Sequence, residues 1–190
     1  MRLILICIAL SGALVSPALA HTGVGQTNSF ASGVAHPLHG ADHILVMITV
    51  GLWGMLVGGR AIWVWPMAFV GTMLAGFAAA TLGLQMPFVE PAISSSIIIL
   101  GLLVALAVEA PVWLGAAIMG LFAFFHGHVH GTEASAVGLV PYAAGFALVT
   151  AALHAAGIGL GLSAEHSMGK LALRAMGGLT LLGGITLIAG

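Results

Sequence analysis

Apolar residues run along this chain in long blocks, separated by short breaks rich in glycine, proline or charge. An α-helix needs about 20 apolar residues to cross a hydrocarbon core of about 30 Å. After an N-terminal block, six runs approach that length, over residues 30–57, 61–84, 92–108, 112–125, 139–162 and 169–189. The third and fourth are short, and Pro91 and Pro111 mark their starts, where a missing N–H does no harm. The breaks at 58–60, 85–91 and 109–111 are tight, which implies antiparallel neighbours. Only 126–138 and 163–168 leave room for loops of any length. The pattern predicts an all-α fold: a polytopic membrane helical bundle with six transmembrane helices.

The N-terminal block has the layout of a secretory signal peptide. Arg2 supplies the positive charge, residues 3–14 the apolar stretch, and Ala18-Leu19-Ala20 the small-residue cleavage site. Cleavage after residue 20 would leave 21–190 as one domain and His21 as the new terminus, where α-amine and imidazole could chelate a metal together. The single cysteine, Cys7, would be removed, leaving no disulfide and no thiolate metal site. Arg60, Lys170 and Arg174 all fall on one side of the expected bundle. The positive-inside rule makes that side cytoplasmic and the mature N-terminus periplasmic, in a bacterial inner membrane.

At 61% hydrophobic and 5% charged, the chain lies far from the roughly 25% charged content of soluble domains. A net charge of −1 with four Lys plus Arg excludes a nucleic-acid surface, so the expected partners are the bilayer and a metal ion. Homo-oligomerisation stays open. Glycine, 28 residues in all, is spread through every run, and small-residue surfaces let helices approach closely. Two three-helix halves would have opposite topology, as in transporters built from inverted repeats. Each half carries a histidine cluster in its first helix, with no further likeness between them.

Those clusters carry the chemistry. Ionisable groups at lipid depth are costly and are usually kept for function. Imidazole and carboxylate together form a ligand set for a borderline divalent metal. Taken as helix, His36, His39, Asp42 and His43 fall within an arc of about 120°, and Met47 continues the stripe one turn on. Pro37 either begins this helix or kinks one that starts near Ser29. In the second cluster, His126, His130 and Glu133 share a face if the helix persists that far. Gly127 and Gly131 weaken it, and the alternative is a His-rich loop that concentrates metal at the mouth. His128 would point the other way, as a surface imidazole or a ligand. His154 stands alone near mid-membrane and is assigned a function for its depth, whereas Glu165 and His166 are placed in a solvated loop.

No zinc-protease, nucleotide-loop or serine-elbow motif is present, so no enzyme is indicated. Ser94-Ser95-Ser96 lacks the glycine frame of the last and is assigned to helix packing. Besides a permease, two functions fit a histidine-bearing bundle. One is a membrane cytochrome with haem between histidines such as His43 and His126. The other is a metal-binding chaperone that moves nothing across the membrane.

The block His36-Pro37-x-x-Gly40-x-Asp42-His43, followed by Leu45, Met47 and Gly51, resembles the signature of the HupE/UreJ family of hydrogenase and urease accessory proteins. So do His126-Gly127-x-x-His130-Gly131-x-Glu133 and, in the fifth run, Gly145-Phe146, Leu153-His154 and Gly157. The likeness covers the whole mature chain. It implies a six-span permease that takes up nickel, in some members cobalt, with no permanently bound cofactor. It also implies function at His36, Asp42, His43, His130 and Glu133, and then at His126 and His154. His39 rests on helix geometry alone. The ligand set by itself suits Ni²⁺, Co²⁺ or Zn²⁺, and affinity order does not choose among them.

Overall fold

The computed structural model describes residues 29–189; the expected signal peptide and His21 lie outside them. These residues form helices and no strand: α1 (Phe30–Ala35), a 3₁₀ turn (His36–Leu38), α2 (Ala41–Val57), α3 (Ala61–Thr81), α4 (Val89–Ala105), α5 (Val112–Glu133), α6 (Leu139–Met168) and α7 (Lys170–Ala189). Helices α3, α5, α6 and α7 are long and apolar enough to cross a bilayer, and α1 with α2 makes a fifth candidate if counted as one broken span. Helix α4 is apolar but, at 17 residues, shorter. Large apolar side chains such as Trp63, Met67, Leu121, Leu148 and Leu171 face outward. In lipid such a surface carries no hydrophobic penalty, and the fold fits a multi-pass membrane protein.

Four boundaries differ from the sequence expectation. The run 30–57 is not one helix, because α1 and α2 meet at a bend of 86°. Pro37 has no N–H to donate back along the chain, and Gly40 takes an extended backbone (φ −98°, ψ 116°) before α2 restarts. Helix α5 continues through the stretch expected as a loop and ends only at Glu133. Likewise α6 runs on to Met168, so Glu165 and His166 belong to its last turns and not to a loop. Gly169 then stops it at φ 69° and ψ −170°, where its N–H reaches the Glu165 carbonyl at 2.9 Å, a backbone conformation that glycine adopts without strain. Helix α4 starts at Val89, upstream of the apolar run, with Glu90 and Pro91 in its first turn.

Reciprocal glycine contacts hold the long helices together. Gly76 of α3 lies on the Phe124 carbonyl of α5, while Gly127 of α5 lies on the Met73 carbonyl of α3. Gly51 of α2 and Gly157 of α6 cross in the same way, over the His154 and Ile48 carbonyls. Gly33 of α1 and Gly145 of α6 repeat it over Tyr142 and Phe30. In each crossing a glycine meets the carbonyl three residues before its partner glycine, so backbone touches backbone where a Cβ would collide.

The end of the bundle that carries Arg174 is closed by indoles. Trp53 and Trp65, both fully buried with ring centroids 4.3 Å apart, donate to the Val108 and Val112 carbonyls at 2.8 Å each. Arg174 Nε donates to the Ala105 carbonyl at the end of α4 (2.9 Å).

Gly76→Ala is expected to lower the melting temperature in detergent, with an overpacking cost of about 1–3 kcal/mol. Gly71→Ala, whose Cβ would enter open space on the same helix, is expected to be neutral or to stabilise by up to about 1 kcal/mol. Equal melting temperatures for the two variants would show that the glycine crossing is not what holds α3 to α5.

Candidate metal centre

The helix break and the extended α5 bring the two clusters face to face. Restarting at Ala41 places Asp42 and His43 in the first turn of α2, and the continuous α5 presents His126, His130 and Glu133 along one side. His43 Nε2 comes within 2.6 Å of His130 Nε2 and 3.5 Å of His126 Nδ1, across separations of 87 and 83 residues. All three imidazoles are buried, at 1%, 1% and 0% exposure respectively.

The hydrogen-bond network assigns the tautomers of His43 and His126. His43 Nδ1 lies 3.1 Å from Asp42 Oδ1, so Nδ1–H donates to the carboxylate and the Nε2 lone pair faces inward. Ser96 Oγ donates its one proton to the Ile93 carbonyl at 2.6 Å. It is therefore left to accept from His126 Nε2–H at 3.1 Å, which turns the His126 Nδ1 lone pair toward His43. His130 Nε2, 2.6 Å from His43 Nε2, either donates a proton to that lone pair or, with its proton on Nδ1, adds a third lone pair that a cation could bridge. A carboxylate or hydroxyl on the far nitrogen is also the arrangement that orients and strengthens imidazole as a metal ligand.

A second donor group adjoins the first on its more exposed side. His36, in the 3₁₀ turn, places Nε2 3.2 Å from Glu133 Oε2, and His130 Nδ1 lies 3.5 Å from the same oxygen. One ligand atom from each of His36, His130 and Glu133 can be chosen so that all lie within 4.8 Å of one another. His36 and Glu133 are partly exposed, at 17% and 21% of their side chains. His130 thus belongs to both groups. Its Nδ1 faces the outer pair and its Nε2 the inner pair, with the Phe146 ring packed against it at 4.3 Å.

Other expected site residues lie elsewhere. His39 is exposed and its Nδ1 is 2.7 Å from the Ala35 carbonyl, so it closes the end of α1 and stands apart from both donor groups. The single helical arc expected for His36 to His43 does not form, because the 3₁₀ turn and Gly40 interrupt it. Met47 lies in the apolar core one turn beyond His43. His128 is neither in a loop nor on the surface: it is buried, and its Nε2 donates to the Leu84 carbonyl at 2.8 Å, tying α5 to the turn after α3. His154 is buried two turns beyond Phe146 on α6, outside both groups. Ser96, assigned from sequence to packing, orients His126 instead; its contact spans 30 residues, so no local pattern marks it.

The family model described as HupE / UreJ protein matches residues 8–187 of this chain. Protein HupE of Rhizobium leguminosarum bv. viciae is 41% identical over 180 residues, 94% of this chain and 94% of that protein. No solved structure matches the chain significantly.

Because His130 serves both donor groups, His130→Ala is expected to weaken Ni²⁺ or Co²⁺ binding by at least about tenfold, a loss of ~1.4 kcal/mol. His128→Ala, which removes only a strut, is expected to leave affinity within about twofold. Equilibrium dialysis of the purified variants measures both. Equal affinities would dissociate His130 from metal binding.

Proposed function

The chain belongs to the HupE/UreJ family, and from that premise we propose that it is a six-span permease of the bacterial inner membrane carrying Ni²⁺, or Co²⁺, inward for metalloenzyme maturation. One observation carries this reading: buried His43 Nε2 lies 2.6 Å from His130 Nε2 and 3.5 Å from His126 Nδ1, with the His43 and His126 tautomers set by Asp42 and Ser96, beside a His36–His130–Glu133 group whose ligand atoms lie within 4.8 Å of one another. The outer group of His36, Glu133 and His130 Nδ1 is the more exposed and receives the ion first. Passage from Nδ1 to Nε2 of His130 requires the ring proton to move from Nε2 to Nδ1, and the ion is then taken up by His43 and His126. Such ligand exchange needs no catalytic group, and we assign the protein no enzymatic activity.

Orientation follows from charge. Arg174 is bonded to the end of α4, Arg60 starts α3 and Lys170 starts α7, so the basic residues gather at the end opposite the histidines. With that end cytoplasmic and the N-terminus periplasmic, the donor groups open toward the periplasm. A divalent cation crossing inward gains about 4.6 kcal/mol per 100 mV of inside-negative potential. That supports roughly thousand-fold accumulation with no coupled ion, so uniport is sufficient.

Asp42→Asn keeps the shape of the side chain and removes the charge that orients His43. Uptake of Ni²⁺ or Co²⁺ into proteoliposomes is expected to fall at least about tenfold, in keeping with the cost of losing an outer-shell carboxylate. His166→Ala, at the exposed far end of α6, is expected to transport normally. Wild-type rates in Asp42→Asn would remove the carboxylate from the pathway, and wild-type protein that binds the ion without moving it would make the chain a chaperone.

Imidazole binds metal only when neutral, so protons compete for every histidine ligand. Reference imidazole titrates near about 6.5 and carboxylates near about 4. At clamped potential and fixed free metal, uptake is therefore expected to decline as external pH falls from about 7 to about 5. A flat profile over that window would exclude histidines as obligatory ligands.

A further inference from the structure

Tyr142, near the start of α6, is fully buried, yet its hydroxyl has no hydrogen-bond partner among the described residues. A buried phenol usually finds an acceptor, and one without a partner asks for an explanation. Its ring is held firmly. Phe77 of α3 stacks on it with centroids 6.0 Å apart, Phe146 does so at 6.5 Å, and the His36 ring meets it edge on at 6.1 Å. Its backbone is fixed as well, because Gly33 lies on the Tyr142 carbonyl in the crossing of α1 with α6.

These neighbours belong to the outer donor group. Tyr142 touches His36 directly and reaches His130 through Phe146, which packs on both. Aromatic side chains on a helix lean toward its N-terminus. For α6 that is the end where Glu133 closes α5, with residues 134–138 joining the two helices. The Glu133 carboxylate is near enough for its charge to act on the phenol.

Binding a cation changes what Glu133 needs. His36 Nε2 and His130 Nδ1 lie 3.2 and 3.5 Å from Glu133 Oε2. An ion shared by these three residues takes the lone pair of each nitrogen, and neither nitrogen can then donate a proton to the carboxylate. A ligating carboxylate is ordinarily aimed by a hydrogen-bond donor of its own. Tyr142 carries a donor that no described residue engages, on a ring that its neighbours already hold in place. Glu133 is the last residue of α5 and is partly exposed, so its side chain has room to turn.

We propose that Tyr142 is a positioning residue of the outer donor group, its hydroxyl donating to the Glu133 carboxylate when that carboxylate ligates the cation. This inference rests on the metal-binding part of the permease reading and adds a residue to it. The tyrosine does not touch the ion; it favours the loaded form by gaining there the acceptor it otherwise lacks.

The test uses the full-length protein purified in detergent. Tyr142→Phe keeps the ring and its stacking and removes only the hydroxyl. Its Ni²⁺ affinity in equilibrium dialysis is expected to fall at least about tenfold, as for other outer-shell partners of a metal site. Its melting temperature without metal is expected to hold or rise, because a buried group without a partner has gone. Wild-type affinity, or a melting temperature that falls together with affinity, would overturn the proposal and leave the phenol a packing group. Tyr142 is the only tyrosine in the chain, so the tyrosine doublet in ultraviolet resonance Raman reports on this hydroxyl alone. Saturating Ni²⁺ is expected to move the doublet ratio toward that of a hydrogen-bond donor, and an unchanged ratio would refute the assignment. In Glu133→Ala the change is expected to vanish, whereas its persistence would give the hydroxyl another acceptor and also count against it. Neither readout needs flux, so failure of wild-type vesicles to transport would sink the permease reading while the spectrum still reports on Tyr142.

Discussion

Backbone-to-backbone contact at glycine is the constraint on which the rest of this structure depends. Helices that meet through ordinary side chains lie about 8–10 Å apart. Here Gly33 with Gly145 and Gly51 with Gly157 draw α1 and α2 onto α6, and Gly76 with Gly127 draws α3 onto α5. Lipid tails give helices no hydrophobic reason to associate, so close packing must supply the attraction. On α5 the glycines at 127 and 131 alternate with histidines at 126, 128 and 130. One stripe seats the helix on α3, and the other, about 100° around, projects His126 and His130 toward α2.

Packing alone would leave the imidazoles free to choose tautomers that satisfy one another. Ser96 and Asp42 remove that freedom from His126 and His43. The serine hydroxyl spends its proton on the Ile93 carbonyl, and the carboxylate takes the Nδ1 proton of His43. His43 Nε2 and His126 Nδ1 are thereby presented without hydrogens. The tight inner centre and the more exposed outer pair then differ in water access more than in ligand type, and His130 is common to both.

Much of this was legible in the residue pattern, and the failures have physical reasons. Apolar runs located every long helix, because burial in lipid and burial in protein demand the same side chains. They missed the last turns of α5, where histidine and glycine read as loop; that segment is helical because its glycines admit α3 and its histidines are satisfied inside the bundle. Spacing placed His126, His130 and Glu133 on one face, and so it is. It failed for His36 to His43, because a constant 100° per residue does not survive Pro37 and Gly40, and His39 is turned away as a result. Ser96 and the partner of His128 come from distant parts of the chain, and no one-dimensional pattern contains them.

The break between α1 and α2 also sets the electric field at the site. Each helix end carries roughly half an elementary charge, positive at the N-terminus and negative at the C-terminus. A continuous helix over 30–57 would bring no terminus to this point in the bundle. With the break, the C-terminal end of α1, at His36, joins that of α5, at Glu133, and the N-terminal end of α2, at Ala41, joins both. The first two attract a cation and the third repels it. Asp42, in the first turn of α2, sits where a carboxylate offsets that unfavourable pole, so its charge both orients His43 and leaves the peptide dipoles of the other two helices net attractive to an arriving dication.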